Sequence, residues 1–161
     1  MNPHASAALP LTIKEIPNLR GVIAEWRSQG HNIAFVPTMG ALHKGHLALI
    51  HAAKKHHQRV VVSIFVNPTQ FGPNEDFSLY PRPLDADLEM LADVRADLVW
   101  LPDVEDIYPT DSITRVTVGE LGKLLCGKAR PIHFDGVATV VSMLLNAVRP
   151  DASFFGEKDY Q

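Results

Sequence analysis

Apolar positions recur along this chain with two different periods, and the alternation between them predicts the fold. Val22, Ile23 and Trp26 are spaced as one side of a helix, predicted over Leu19 to Gln29, and Gly30 is suited to stop it. Ile33–Val36 is a short wholly apolar run, read as a buried strand, and Leu47 to His57 returns to helical spacing. Arg59–Val66 is almost continuously β-branched, the composition of a strand covered on both faces and therefore of a parallel sheet. Asn67-Pro68-Thr69-Gln70-Phe71-Gly72-Pro73 then forces a loop.

The same rhythm continues downstream. Leu84, Leu88, Leu91 and Val94 share a helix face whose start is enriched in Asp85, Asp87 and Glu89. Leu98–Leu101 reads as a third strand and Pro102 to Asp111 as loop. Ile113–Val118 alternates apolar and polar residues, which predicts a strand with one wet face. Val137, Val140, Val141, Leu144, Leu145 and Val148 define an amphipathic helix stopped by Pro150, and Ser153–Phe155 is a last short strand. Strands alternating with helices, without a linker or repeat, predict one α/β domain, doubly wound and Rossmann-like, with a mostly parallel sheet and helices on both faces.

Composition narrows the function classes. At 161 residues, 46% apolar and 20% charged, the chain can build a real core. A net charge of −3 gives no general basic surface for nucleic acid. No run approaches the ~18 apolar residues of a membrane span, and residues 1–10 lack the pattern of a signal peptide. The single cysteine, Cys126, allows no intrachain disulfide and reads as a small buried apolar residue, so a cytoplasmic location is the expectation.

Candidate chemistry collects where predicted strands end. Val36-Pro37-Thr38-Met39-Gly40-Ala41-Leu42-His43-Lys44-Gly45-His46 joins a strand to a helix. His43 and His46 lie on one face of that helix start, about 5–6 Å apart at Cβ, beside free N–H groups that favour anions. Gly45 has no Cβ, so a flat group can approach the backbone there. Histidines 51, 56 and 57 read as a solvated helix face. Asn67 and Gln70 present amides suited to a carboxylate or hydroxyl, or else simply cap the loop. In Gly156-Glu157-Lys158-Asp159, Lys158 can neutralise phosphate and Asp159 can hold a ribose hydroxyl or a metal; a surface salt bridge is the alternative. Arg130 can fork onto a carboxylate, with His133 close by. Asp85 and Asp87 can reach magnesium or merely favour the helix dipole. In a parallel sheet these strand ends open on one edge, so a polyanion site would adjoin a polar acceptor site. No serine or cysteine is marked as a nucleophile, which points to positioning and electrostatic stabilisation of phosphorus chemistry.

The motif containing His43 and His46, Ser63-Ile-Phe-Val-Asn-Pro-Thr-Gln-Phe71, Tyr80-Pro81-Arg82, Arg130-Pro-Ile-His-Phe134, Gly136-Val-Ala-Thr-Val-Val141 and Phe155-Gly-Glu-Lys-Asp-Tyr-Gln161 together resemble the pantoate–β-alanine ligase family from about residue 11 onward. His-x-Gly-His alone is shared with many nucleotidyltransferases; the whole ordered set is specific. The resemblance implies a Rossmann-like N-terminal domain, a C-terminal lid domain, a homodimer, and condensation of pantoate with β-alanine using ATP and Mg²⁺ through a pantoyl adenylate. It implies ATP contacts from Pro37 to His46 and from Gly156 to Asp159, with His46, His43 and Lys158 catalytic. Gln70 would bind pantoate beside β-alanine, Asn67 lies nearby, and Tyr80, Arg130 and His133 resemble the wall near the second substrate. Asp87 is the candidate metal ligand. The chain stops inside the last motif, so the reading expects a single domain over 1–161 without its lid, weak or inactive alone. Ile132 and Met143 depart from the residues usual in the family. Another His-x-Gly-His nucleotidyltransferase and a non-catalytic nucleotide-binding or dimerisation module are the competing readings.

Overall fold

The computed structural model describes residues 8–72 and 77–161. Five strands, β1 (Leu11–Ile13), β2 (Ile33–Thr38), β3 (Arg59–Ile64), β4 (Leu98–Trp100) and β5 (Ala152–Ser153), form one sheet in the order β1-β4-β3-β2-β5. Every pairing is parallel, from Leu11 against Leu98 at one edge to Phe35 against Ser153 at the other. The helices are α1 (Ile16–Ser28), α2 (Lys44–His56), α3 (Leu84–Asp93), the short α4 (Val104–Ile107) and α5 (Cys126–Ala129), and α6 (His133–Val148).

The unbroken apolar strands still sort their side chains to two faces, because successive residues point oppositely. On one face Ile33, Phe35, Val61, Leu98 and Trp100 pack against Leu19 and Ile23 of α1 and Val140 and Leu144 of α6. On the other, Ala34, Val36, Val60, Val62 and Val99 meet Ile50 of α2 and Leu91 of α3. This is the doubly wound α/β arrangement that the alternation of periods predicts. From β2 the chain winds one way through β3 to β4, then returns by α6 to place β5 on the opposite side of β2. The strand order therefore reverses between β2 and β5, and open α/β sheets bind ligands outside the strand ends at such a point.

Several boundaries differ from the sequence reading. β1 is too short to carry a period, and its edge position is fixed by pairing with β4 and by the buried Trp100 indole, which donates to the Lys14 carbonyl at 2.8 Å. α1 begins at Ile16, ahead of Leu19, with Pro17 in its first turn. α2 begins at Lys44, so His46 lies inside it. α4 interrupts the expected loop, capped by Asp103 and Asp106. The predicted strand over Ile113–Val118 does not form. That segment instead runs along α6, where the Val116 N–H donates to Thr139 Oγ1 at 3.0 Å and the Val118 N–H to Asp135 Oδ1 at 3.0 Å. Cys126 is exposed rather than buried, since the four-residue α5 that it opens is too short to bury a face. His57 leaves the solvated face: it is half-buried and meets Phe154 edge-on at 5.7 Å.

Trp100 is fully buried and ties the edge strand to the centre. Trp100→Ala is expected to lower unfolding stability by about 3–5 kcal/mol in urea titrations; a loss below about 1 kcal/mol would contradict this account of the core.

Candidate active site

The loop from Thr38 to His43 is shaped before any ligand arrives. Thr38 ends β2, buried; its hydroxyl donates to the Ser63 carbonyl at 2.7 Å and accepts the Gly40 N–H at 3.2 Å. Gly40 and Ala41 then take positive φ, 78° and 50°. Gly40 is required there, because a Cβ would lie 3.0 Å from both Asp87 Oδ2 and Ile64 Cγ2. Asp87, on α3 and only 1% exposed, accepts the Ala41 N–H at 2.9 Å and the Leu42 N–H at 2.7 Å, one on each carboxylate oxygen. The residue singled out as a magnesium ligand thus clamps the turn.

The two histidines form the cap of α2. The Gly45 N–H donates to His43 Nδ1 at 3.1 Å, and the His43 N–H donates to His46 Nδ1 at 3.3 Å. The rings lie 4.1 Å apart between centroids and are tilted by 36°. Each Nδ1 accepts from backbone, so in the neutral rings both Nε2 atoms carry the hydrogen and remain as donors. Gly45 has its explanation here too: a Cβ would come within 2.9 Å of the His43 ring, so the flat group that approaches this backbone is His43 itself. Burial, then the neighbouring His43 and Lys158, lower the His46 pKa below 6.5, against smaller opposing effects of Asp159 and Asp87. His46 is therefore predominantly neutral at pH 7.

Lys158 lies in the turn after β5, across the reversal point from α2, exposed and 2.7 Å from Asp159 Oδ1. It is the salt bridge that the sequence offered as the alternative, and at that exposure it is a weak one. The same ammonium lies within electrostatic reach of both His46 and Tyr80. Tyr80 is half-buried, edge-on to Phe71 at 6.0 Å, and burial raises its pKa.

Beside the start of α2 is the turn Pro68–Gln70. Asn67 is buried and fully bonded, with Oδ1 capping the Thr69 N–H at 3.3 Å and Nδ2 reaching the Gly136 carbonyl and Gln70 Oε1, each at 3.1 Å. Gln70 Nε2 points to Met39 Sδ at 2.8 Å, joining the amide loop to the nucleotide-type loop. The Gln70 carbonyl lies 3.0 Å from His133 Nδ1 and accepts from Arg130 Nη2 at 3.3 Å, while Arg130 Nη1 lies 3.3 Å from His133 Nε2. Arg130 as donor leaves the His133 hydrogen on Nδ1, so both residues brace the turn from behind. Gly136, which the sequence reading gave no role, allows α6 to touch this turn: a Cβ there would sit 2.8 Å from Gln70 Cα. The available signal was a glycine inside a strongly apolar helix, which usually has a packing reason.

Pro37 to His46, Asn67, Gln70, Tyr80, Arg130, His133 and Gly156 to Asp159 thus gather around neighbouring ends of one sheet. A further cleft of about 430 Å³, lined by Met39, Gly40, Phe65, Phe77 and Leu101 among others, opens on the β3–β4 side. Among the described residues no group of three or more His, Cys, Asp or Glu side chains can hold a metal ion. Each Asp87 oxygen accepts one amide N–H, so the carboxylate serves the turn in this structure. The arrangement can bind a polyanion through two imidazole N–H groups, a helix N-terminus and an ammonium, next to an oriented carboxamide.

A family model described as pantoate-beta-alanine ligase matches residues 11–161. The chain is 54% identical over 153 residues to the pantothenate synthetase of Aquifex aeolicus (strain VF5), covering 95% of this chain and 54% of that protein. It is 59% identical over 145 residues to the pantothenate synthetase of Methylococcus capsulatus (strain ATCC 33009 / NCIMB 11132 / Bath), covering 89% and 51%. Among solved structures, pantothenate synthetase from Thermus thermophilus superposes with a TM-score of 0.86 at 46% identity, over 93% of this chain and 53% of that one. Pantoate-beta-alanine ligase from Francisella tularensis, complexed with beta-gamma ATP and beta-alanine, gives 0.83 at 41% identity, over 89% and 55%. The chain spans about half the length of the curated relatives it matches.

Asp87→Asn keeps the size of the clamp but removes its charge and one acceptor. Amide exchange at Ala41 and Leu42 is expected to accelerate about ten- to a hundred-fold, the equivalent of ~1.5–3 kcal/mol for bonds to a charged group. Amides in the centre of β2 should keep their protection; unchanged exchange at Ala41 and Leu42 would contradict the clamp.

Proposed function

From the chain's membership of the pantoate–β-alanine ligase family, to which it belongs over residues 11–161, we infer that it serves the ATP-dependent condensation of pantoate with β-alanine. The observation that carries this reading is the approach of Lys158 to His46, whose ring pairs with that of His43, with the Gln70 amide on Met39 of the same loop. A triphosphate seated on the start of α2 meets two Nε2–H groups and the helix dipole, and Lys158 supplies a full positive charge. The pantoate carboxylate, held at Gln70, attacks the α-phosphorus. The bond to the β-phosphate oxygen breaks and pyrophosphate leaves with the electron pair. The β-alanine amine then attacks the acyl carbon of the adenylate, loses a proton and expels AMP, giving the amide.

No nucleophilic side chain is needed, and the residues act by holding reactants and stabilising charge on phosphate oxygens. The ATP and β-alanine bound in the Francisella tularensis relative support the assignment of substrates. Magnesium enters the proposal as a companion of the triphosphate, bound by phosphate oxygens and water, with no protein ligand assigned. We place the protein in the cytoplasm as a homodimer. No helix among the described residues is long and apolar enough to cross a membrane. Ile113, Leu121, Leu124 and Leu125 are exposed apolar residues that a second copy could cover.

Two measurements test the reading. In AMP release dependent on both pantoate and β-alanine, His46→Ala and Lys158→Ala are each expected to slow turnover about 10²–10³-fold. Rates within a few-fold of the parent would refute their roles. On the 161-residue chain, calorimetry should show heat on ATP addition that His46→Ala diminishes; the absence of heat would refute the nucleotide site.

The lowered His46 pKa fixes the signs of two pH effects. Below pH 6.5 the unfolded chain binds more protons at this residue than the folded one, so its contribution to stability rises with pH and is lost as pH falls through the folded value. A bound triphosphate favours imidazolium, so ATP binding should take up protons and tighten as pH falls toward the folded His46 value. A flat affinity profile, identical in His46→Ala, would contradict this linkage.

A further inference from the structure

We propose that Tyr108 is a positioning residue for the acid substrate: its hydroxyl, held against Asn67 Oδ1, reinforces the amide orientation that turns Gln70 Nε2 outward. The proposal rests on the ligase reading above and adds to it a residue from the β4–α6 connection. Tyr108 ends α4, with its N–H donating to the Val104 carbonyl at 2.7 Å and its ring tilted against Phe65 at 6.4 Å.

The amide orientations follow from which groups can only donate and which can only accept. A backbone N–H must donate and a backbone carbonyl must accept. Asn67 meets one of each: the Thr69 N–H on Oδ1 and the Gly136 carbonyl on Nδ2, so the orientation of its amide is unambiguous. The Tyr108 hydroxyl lies 2.8 Å from the same Oδ1, and the Thr69 hydroxyl 3.0 Å from it. The two hydroxyls are 3.1 Å apart, so whichever hydrogen each carries, at least one donates to Oδ1 and the other can donate to its neighbour. Burial raises the Tyr108 pKa, which keeps the phenol protonated as a donor.

With Oδ1 surrounded by donors, the second Nδ2 hydrogen of Asn67 is committed to Gln70 Oε1 at 3.1 Å. Gln70 Oε1 is thereby turned toward Asn67, and Nε2 outward onto Met39 Sδ. A thioether is a weak acceptor, easily displaced by a better one. Gln70 therefore presents a hydrogen donor on the Met39 side. It selects a ligand oxygen, as in a carboxylate or hydroxyl of a hydroxy acid, and disfavours an ammonium. In this arrangement the second-substrate amine is not the partner of the Gln70 side chain.

The test uses side-chain amide NMR and pantoate titration on the intact chain. In the unsubstituted protein the Asn67 and Gln70 amide hydrogens should be shifted and exchange more slowly than free amides. Random-coil shifts and rates there would overturn the relay without any variant. Tyr108→Phe keeps the ring and removes only the hydroxyl. It should move both amide signals, accelerate their exchange and weaken pantoate about five-fold, with ATP affinity unchanged. A packing role alone predicts a Phe variant indistinguishable from the parent, and that result would overturn the proposal. Asn67→Asp retains an acceptor for Tyr108 but offers Gln70 no donor, so Gln70 Nε2 should turn inward and pantoate affinity should fall further than in Tyr108→Phe. Retained affinity would overturn the proposal as well. If the parent binds no pantoate while its amide signals behave as stated, the ligase reading fails and the relay stands.

Discussion

Asp87 is almost wholly out of solvent, and an ionised carboxylate in that position is costly unless donors surround it. The donors here are the N–H groups of Ala41 and Leu42, made available by a turn in which Gly40 and Ala41 both have positive φ. Each side of this contact requires the other. The left-handed turn is strained for Ala41 without the carboxylate, and the carboxylate lacks partners without the turn. Since Asp87 belongs to α3 and the turn follows β2, the clamp joins two elements on one face of the sheet and sets where α2 starts. The placing of His43 and His46, and therefore of any phosphate, follows from it.

A second layer of constraint lies on the other face. α6 approaches the Pro68–Gln70 turn at Gly136, closely enough that a methyl group would collide with backbone. Asn67 fills the junction with four kinds of partner, and Arg130 and His133 hold the Gln70 carbonyl from the helix start. Both loops are thus fixed by helices from opposite faces, and they meet where Gln70 touches Met39. A doubly wound sheet suits this chemistry because its two helical layers can brace adjacent strand ends independently.

Much of this was legible in the chain. The near-continuous apolar β2 and β3 marked a sheet covered on both faces, and the periods of α1, α3 and α6 gave its helices. The loop motifs stood out because their residue types were unusual for strand ends. What escaped is what depends on contacts distant in sequence. Ile113–Val118 alternates like a strand, yet Thr139 and Asp135 of α6 take its N–H groups and no strand partner does. Asp87 stands at a helix start like many dipole-favouring acids, and only the fold brings it 46 residues back to Ala41. Tyr108 sits in a segment read as loop, with no sequence feature tying it to Asn67. Gly45 was read as admitting a flat group from a ligand, and the flat group beside it is the His43 ring.

The central claim is that the start of α2 and the turn after β5 form one phosphate seat beside Gln70. A crystal structure of the protein with a non-hydrolysable ATP analogue tests it most directly. The account predicts phosphate oxygens over the His43 and His46 Nε2 atoms and within reach of Lys158, with the α-phosphate on the Gln70 side. An analogue bound in the Phe77–Leu101 cleft, or triphosphate density away from both histidines, would contradict it.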